Sequence, residues 1–301
     1  MNGPSNLLEQ FSGELAEVVE RVAPSVVRVD DGTRLTATGI IWEAAGIIVS
    51  TSHGVERDED LAIELADGTR HAATLIGRDP DTDLAVLRVE ATGLPEIARA
   101  EPAEVRAGQL ALALARPGSF GLQVTLGLVS ARIETQTNTQ PGYLLHTDAV
   151  LHPGFSGGAL VDARGRLAGL IDLMFGRGRG VALGTPIVAQ VAETILKQGR
   201  VQRGYLGVRT QGVALPDSLV KNLGLEQQAG LLVIQVEDAS PAEQGGLLVG
   251  DILLAIEGQP VRDGEDLRRS LRALPAGKQI GIDLVRGGER RALQVTLGTR
   301  E

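Results

Sequence analysis

A serine lies within a run of glycines in the segment Gly154-Phe155-Ser156-Gly157-Gly158. Glycine adopts backbone angles that other residues avoid, so a turn of this composition can direct successive N–H groups to one point. Such groups stabilise an oxyanion that develops beside a serine oxygen. The segment therefore predicts acyl-transfer chemistry with Ser156 as the nucleophile, provided that the chain also supplies a base and a carboxylate.

Both partners precede the serine in the chain. His53 follows the apolar run Ile47–Val49, where a predicted strand ends, and Asp83 comes directly before the apolar run Leu84–Leu87. A histidine accepts the serine proton, and a shielded carboxylate fixes the histidine tautomer. The order His, Asp, Ser is that of the chymotrypsin-like double β-barrel rather than that of subtilisin or the α/β-hydrolases.

The oxyanion hole is expected within the three residues Gly154, Phe155 and Ser156. The N–H groups of Gly154 and Ser156 are the expected donors, each worth roughly 3–4 kcal/mol in comparable enzymes. Phe155 lies between the two donors.

The base, the carboxylate and the nucleophile each lie in a longer block, namely Ser50–His53, Asp79–Leu87 and Thr147–Leu160. In this order the blocks resemble the HtrA (Deg-type) family of serine proteases, in which a trypsin-like domain precedes a PDZ domain. The resemblance covers nearly the whole chain. The chain departs from the family pattern near the catalytic residues. The departures are Phe155 where Asn is usual, His152, and Gly54 where Val is usual.

The sequence around these blocks predicts short strands with a helix at each end. Apolar residues at helical spacing predict a helix over Leu7–Val22, with a role in packing or trimer contact, and another after Pro186 that stops at Gly199. Between them, short apolar runs separated by Gly, Asp and Pro predict a β-barrel or sandwich. Examples are Val26–Val29, Leu61–Leu65 and Leu110–Leu114, with hairpin turns at Asp67-Gly68 and Arg164-Gly165.

A second pattern begins at Gly204-Tyr205-Leu206-Gly207-Val208, which resembles the carboxylate-binding loop of HtrA-type PDZ domains. Backbone N–H groups of such a loop capture a C-terminal carboxylate while the peptide adds as a strand. Ser240 and Glu243 predict a capped helix start. The resemblance implies a peptide groove that prefers an apolar C-terminus. Its expected residues are Tyr205, Leu206, Gly207, Val208, Leu267 and Leu271.

The expected fold is mainly β, a chymotrypsin/trypsin-like double β-barrel followed by a smaller α+β PDZ domain. A chain of 301 residues with 43% hydrophobic and 2% aromatic residues supports two cores built from aliphatic side chains. We expect an N-terminal helical segment at 1–22, a trypsin-like domain at 23–199, a linker at 200–203 and a PDZ domain at 204–301.

Composition excludes several other classes of site. The chain has no cysteine, which excludes disulfides, cysteine nucleophiles and thiolate metal sites, and its formal charge of −9 argues against nucleic acid as a partner. Asp79-x-Asp81-x-Asp83 imitates a calcium loop, but Leu84 stands where an EF-hand needs glycine. The arginine-glycine segment Gly176–Gly180 falls where the family has a mobile loop beside the active site. We expect no metal and no cofactor.

The N-terminal segment does not read as a signal peptide. Met1–Glu20 contains four glutamates and lacks a basic start and an unbroken apolar core. No apolar run approaches the ~20 residues that span a bilayer. We expect a cytoplasmic protein as the sequence stands, or a periplasmic or cell-envelope protein if a leader has been removed, because relatives in this family are usually exported.

The resemblance implies an ATP-independent serine endopeptidase that degrades unfolded or damaged proteins and assembles as a homotrimer. In trypsin-like folds the base of the primary pocket lies six residues before the nucleophile, here Val150, which implies cleavage after small or medium apolar residues. The alternative is a catalytically silent peptide-binding or chaperone-like protein on the same scaffold. A PDZ adaptor with an inert N-terminal part explains too little of the triad.

Overall fold

The computed structural model describes residues 6–33, 37–118, 121–136, 141–174, 180–199, 204–272 and 274–298. The chain folds into two compact units, Met1–Val201 and Gln202–Glu301. The predicted linker at 200–203 and all of the predicted loop at 176–180 except Gly180 lie outside the described residues. The finer domain boundaries stay predictions.

The first unit begins with a six-stranded barrel. Its strands are β1 (Val26–Asp30), β2 (Ala37–Glu43), β3 (Ile47–Thr51), β4 (Leu61–Glu64), β5 (Arg70–Asp79) and β6 (Leu84–Val89). They close in the order β1-β2-β3-β6-β5-β4, with all neighbours antiparallel. Branched side chains such as Val27, Ile41 and Ile63 fill the interior and are at most 1% exposed. The two runs predicted as strands here are confirmed as β1 and β4.

A second six-stranded barrel follows in the same unit. Its strands are β7 (Leu110–Ala115), β8 (Gln123–Gln136), β9 (Pro141–Thr147), β10 (Ala159–Asp162), β11 (Leu167–Asp172) and β12 (Gly180–Gly184). They close in the order β10-β11-β12-β9-β8-β7. The interior is built around Tyr143, Leu145, Leu160 and Ile171, all at most 1% exposed. The strand predicted at Leu110–Leu114 and the hairpin at Arg164-Gly165 are confirmed.

Two helices flank the barrels and join their cores. They are α1 (Leu7–Val22) and α2 (Thr185–Gln198), with 3₁₀ turns at Ala23–Ser25 and Pro102–Glu104. Val22 of α1 and Ile195 of α2 belong to one buried cluster with Val49 of the first barrel and Leu114 of the second. Gly199 ends α2 in the left-handed conformation. Both predicted helices are confirmed, α1 with its predicted bounds and α2 with its predicted end at Gly199, although α2 begins at Thr185 rather than after Pro186.

The second unit is a sheet with three short helices. Its strands are β13 (Val208–Ala214), β14 (Ala229–Val236), β15 (Ile252–Ile256), β16 (Gln259–Pro260), β17 (Gln279–Arg286) and β18 (Glu289–Thr296), and its helices are α3 (Asp217–Leu223), α4 (Pro241–Gln244) and α5 (Gly264–Arg272). The sheet order is β13-β14-β15-β17-β18, and β16 pairs with β15. Ser240 caps α4 by accepting the Glu243 N–H. The Glu243 carboxylate accepts the Ala239 N–H at 2.6 Å, where a full capping box would use the Ser240 N–H.

Two barrels followed by a separate sheet unit confirm the mainly β fold class. Among the described residues, no helix combines the length and the apolar character needed to cross a membrane.

Candidate active site

The register of two neighbouring strands brings His53 and Asp83 together. β3 and β6 are antiparallel with Thr51 opposite Leu84, so the residues that follow β3 face those that precede β6. Ser52 donates its N–H to the Asp83 carbonyl at 2.7 Å. One residue further, His53 donates its N–H to Asp83 Oδ1 at 2.8 Å, and its Nδ1 is hydrogen-bonded to Asp83 Oδ2. The carboxylate therefore holds both the backbone and the ring of the histidine.

This contact changes the acidity of the imidazole. The hydrogen bond to Asp83 is the largest influence and raises the pKa of His53 above its ordinary value of 6.5. Partial burial opposes the rise in pKa, and the negative charges of Asp83, Asp172 and Glu56 add to it. The His53 side chain is 31% exposed, so its ring remains accessible to a substrate. Such a histidine is suited to accept a proton and to hold it as a stabilised cation.

Ser156 lies in the segment between β9 and β10, in a turn that depends on glycine. Gly157, with φ of 83°, occupies the left-handed region. A Cβ built on it would lie 1.9 Å from the Thr38 carbonyl oxygen, so a larger residue does not fit. Its N–H donates to the Ile171 carbonyl at 2.8 Å, which ties the turn to β11. The serine is therefore held close against both barrels.

The N–H groups of the turn divide into used and unused donors. Phe155 donates its N–H to the His152 carbonyl at 3.0 Å. The N–H groups of Gly154 and Ser156 make no hydrogen bond within the part of the chain that the structure describes. The two predicted oxyanion donors are thus available, whereas the Phe155 N–H is occupied.

The end of β11 connects the serine to the histidine. Leu173 donates its N–H to Ser156 Oγ at 3.3 Å. The adjacent Asp172 places a carboxylate oxygen within 4.8 Å of ligand atoms of His53 and Asp83. No hydrogen bond joins Ser156 to His53 among the described residues, and such bonds are often long before substrate binds.

Asp172 is a residue of this site that the sequence did not reveal. It is fully buried, and its Oδ1 accepts the Met174 N–H at 2.7 Å. It forms, with His53 and Asp83, the one group of potential metal ligands found among the described residues. Because His53 and Asp83 are bonded directly to each other, we interpret the group as a histidine–carboxylate pair with a second carboxylate nearby. The one feature of the sequence that could have indicated Asp172 is its position directly after the apolar run Leu167–Ile171.

The second unit carries the predicted carboxylate-binding loop at one edge of its sheet. Tyr205 exchanges two backbone hydrogen bonds with Gly298, of 2.9 and 3.0 Å, which fixes the start of the loop. The N–H groups of Leu206 and Gly207 have no hydrogen-bond partner among the residues described. β13 follows the loop and pairs with β14 on one side, so its other side is an edge of the sheet. A free edge beside free N–H groups is what strand addition requires.

The predicted groove residues lie along this edge. Leu206 and Leu267 are buried in the core of the unit, and Val208 and Leu271 pack against it while partly exposed. α5, which carries Leu267 and Leu271, lies beside β13. The structure therefore brings together the groove residues that stand far apart in the sequence.

Comparison with known proteins agrees with both predicted domain types. Residues 37–170 match the family model of a trypsin-like peptidase domain, and residues 204–297 match that of a PDZ domain. The solved structure of the HtrA-type protease AlgW with decapeptide superposes with a TM-score of 0.75 at 32% identity, covering 95% of this chain and 99% of that one. This chain belongs to the HtrA family of serine proteases.

Further relatives agree with this membership. The serine endoprotease from Yersinia pestis superposes with a TM-score of 0.76 at 29% identity over 100% of both chains. A probable periplasmic serine endoprotease, DegP-like, of Ectopseudomonas mendocina (strain ymp) is 34% identical over 97% of this chain and 63% of its own length. The chain thus spans about 63% of the curated HtrA relative. That relative's name does not support the cytoplasmic location expected from the sequence.

Two departures from the HtrA pattern have local physical reasons. Phe155 is fully buried in the core of the second barrel, with the His152 ring edge-on at 5.7 Å, so its ring anchors the turn. At Gly54 a Cβ would lie 2.6 Å from Ala37 Cβ and 2.8 Å from Thr51 Oγ1, which leaves no room for valine.

Val150, the predicted base of the primary pocket, lies in the segment after β9 and is 61% exposed. Its role in substrate selection stays a prediction.

Proposed function

We propose that this chain is a serine endopeptidase in which Ser156 is the nucleophile, His53 the general base and Asp83 the residue that orients it. The observation that carries the proposal is the junction at the end of β11. There Leu173 contacts Ser156 Oγ, and its neighbour Asp172 lies beside the hydrogen-bonded His53 and Asp83. The proposed nucleophile and base, which belong to different barrels, are thereby linked through the neighbouring residues Leu173 and Asp172.

The proposed reaction uses these groups in two steps. Ser156 Oγ forms a bond to the scissile carbonyl carbon as its proton passes to His53, and the N–H groups of Gly154 and Ser156 bind the oxyanion. His53 then gives the proton to the leaving amine as the peptide bond breaks. A water molecule, deprotonated in turn by His53, then forms a bond to the acyl carbon, and His53 returns that proton to Ser156 Oγ as the acyl–Oγ bond breaks. No step requires a metal, a nucleotide or another cofactor, so we propose that cleavage is ATP-independent.

Proposed substrates are unfolded or damaged proteins. Val150 offers no acid to select Lys or Arg, which favours cleavage after small or medium apolar residues. Such side chains are buried in folded proteins and become available on unfolding. This selectivity supports a role in protein quality control. The periplasmic name of the relative supports a periplasmic location.

The PDZ unit is proposed to bind C-terminal peptides through the free N–H groups of its loop. A peptide with an apolar C-terminus is expected to lose about 10- to 100-fold in affinity when its terminal carboxylate is amidated, because hydrogen bonds to a charged acceptor are worth roughly 1.5–3 kcal/mol. Titration calorimetry of the full chain with the two peptides measures the difference. As a control, two peptides that share the free C-terminal carboxylate and differ only at their N-terminus should bind with equal affinity. Equal affinity of the free acid and the amide would contradict carboxylate recognition by this loop.

The exposed face of α1 supports the proposed homotrimer. Leu7, Leu8 and Phe11 are 81%, 74% and 42% exposed, whereas Val18 and Val22 anchor the helix to the barrels. An apolar patch of this kind marks an interaction site.

Introducing a charge there, as Phe11→Asp, is expected to shift the protein from trimer to monomer in sedimentation velocity at micromolar concentration. Glu17→Lys, on an exposed position of the same helix, is the control and should sediment as the wild type. If the wild type sediments as a monomer, or if Phe11→Asp still sediments as a trimer, α1 does not form the trimer contact.

The test of the proposed function pairs a fluorophosphonate label with the degradation of an unfolded, casein-like substrate. Wild-type protein is expected to cleave the substrate and to take the label at Ser156. The rival function is that of a catalytically silent peptide-binding protein. The hydrogen bond from the Leu173 N–H to Ser156 Oγ favours this function, because it gives the hydroxyl a partner other than His53. The rival function would hold if neither cleavage nor labelling occurs, even after an apolar C-terminal peptide is added to engage the PDZ unit.

A further inference from the structure

Thr38, the second residue of β2, connects the first barrel to the nucleophile turn. It is fully buried. Its N–H donates to the Ser156 carbonyl at 3.2 Å, and its carbonyl accepts the Ser50 hydroxyl at 2.7 Å. Its Oγ1 donates to the Gly154 carbonyl at 2.8 Å and accepts the Arg116 N–H at 3.0 Å. Thr38 thus bonds the carbonyls of both residues whose N–H groups form the proposed oxyanion hole.

The direction of the Thr38 hydroxyl is set by its second partner. Because Oγ1 accepts the backbone N–H of Arg116, its own proton is left for the Gly154 carbonyl. Arg116 is itself fixed, since its guanidinium donates to the carbonyls of Ala23 at 3.1 Å and Val26 at 2.6 Å. A side chain at position 38 must therefore donate and accept at one atom, which a hydroxyl does and a methyl group does not.

The hydrogen bond from Thr38 Oγ1 acts on a glycine of the turn. Gly154 has φ of 89°, and a glycine changes its backbone angles at little cost. The Gly154 carbonyl and the Phe155 N–H belong to one planar peptide. Thr38 holds the carbonyl end of that plane and His152 holds the N–H end. With both ends bonded, Gly154 keeps the conformation in which its own N–H is free for an oxyanion.

We propose that Thr38 is a positioning residue for peptide-bond cleavage, which holds Gly154 and Ser156 of the second barrel in register with the histidine and aspartate of the first. The inference rests on the proposed peptidase function. Its signature is a loss in the chemical step with an unchanged histidine base, because Thr38 makes no contact with His53 or Asp83 among the described hydrogen bonds.

The test compares Thr38→Val with Thr38→Ser in steady-state cleavage of a fluorogenic peptide. Valine keeps the shape of threonine but lacks the hydroxyl, and serine keeps the hydroxyl. We expect Thr38→Val to lower kcat by roughly 10-fold or more with little change in KM, since a single oxyanion donor contributes about 10²–10³ in kcat. Thr38→Ser should stay within about threefold of the wild type. The midpoint of the pH profile of kcat/KM should be the same in all three proteins.

Thr51→Val is the matched control. Thr51 is equally buried in the first barrel, and its Oγ1 has no hydrogen-bond partner among the described residues, so its kcat should remain near that of the wild type. If Thr38→Val does not fold at the assay temperature, Thr38→Ala removes the hydroxyl without placing a methyl group against the Gly154 carbonyl.

The outcomes separate the inference from the function. An active wild type with an equally active Thr38→Val, or an equal loss in Thr51→Val, would overturn the role of Thr38 alone. The role would also be overturned if the kcat of Thr38→Val is low only near the melting temperature of the variant. Its kcat would then equal that of the wild type at temperatures well below that melting temperature. A wild type without activity would overturn the proposed function itself, and the role of Thr38 with it.

Discussion

Substitution of Ser156 by alanine is expected to lower the turnover of an unfolded protein substrate by on the order of 10⁶. Ser156 is the proposed nucleophile, whose hydroxyl would form the covalent bond to the substrate, and the N–H groups of Gly154 and Ser156 beside it make no hydrogen bond among the described residues. The fold should persist, because the side chain makes one hydrogen bond, to the Leu173 N–H at 3.3 Å. Casein degradation and fluorophosphonate labelling measure the loss, and thermal unfolding verifies the fold.

Ser25→Ala serves as the control for this experiment. Ser25 is buried in the same unit but lies outside the nucleophile turn, so the variant should cleave and label as the wild type does. Undiminished cleavage by the Ser156 variant would show that another residue is the nucleophile.

The second large effect is expected at Asp83. Replacing it with asparagine should lower kcat by about 10⁴-fold, because the amide no longer holds His53 in the tautomer that accepts the serine proton. The structure supports this expectation with two contacts, since Asp83 binds both the backbone N–H and the ring of His53. Asp81→Asn, two residues away in the same turn and exposed, is the control and should retain activity.

The pH profile gives the Asp83 prediction an independent measurement. His53 must be neutral to act as a base, and the hydrogen bond to Asp83 raises its pKa above 6.5, so kcat/KM of the wild type should rise with pH through a midpoint above that value. Loss of the carboxylate should move the midpoint of the residual activity to lower pH. An unchanged midpoint would contradict the assigned contact.

The same shift in pKa has a consequence for stability, with a defined sign. A folded-state pKa that lies above the unfolded value means that protonated His53 stabilises the fold. This contribution is fully present below pH 6.5 and is lost as the pH rises through the folded-state pKa of His53. The difference in free energy of unfolding between the wild type and Asp83→Asn should therefore shrink across that window.

Local patterns predicted the secondary structure well where periodicity is strong. The helical spacing between Leu7 and Val22 and the glycine at position 199 correspond to the observed ends of α1 and α2. Short apolar runs predicted strands because strands such as β3 and β11 bury every residue, so their sequences carry continuous apolar runs rather than an alternating pattern. Glu243 shows the limit of such rules, since its carboxylate bonds the Ala239 N–H rather than that of Ser240.

The departures near the serine illustrate what a linear motif omits. Phe155 and Gly54 differ from the family pattern beside the catalytic residues, which makes each a candidate for altered activity in the sequence alone. In the fold, Phe155 packs into the second barrel and Gly54 fits against Ala37. Packing therefore explains both departures, and neither of them places a new side chain against the reacting groups.

The sequence by itself determined the chemical types of this site, their order in the chain and the glycines of the turn, because these depend on residue identity and on local backbone freedom. Tertiary structure alone decided that Asp172 lies beside His53 and that Thr38 bonds Gly154, 116 residues further along the chain. Such contacts follow from the closure of two barrels against each other. Closure depends on the register of every strand at once, and it leaves no periodic signal in the sequence around either residue.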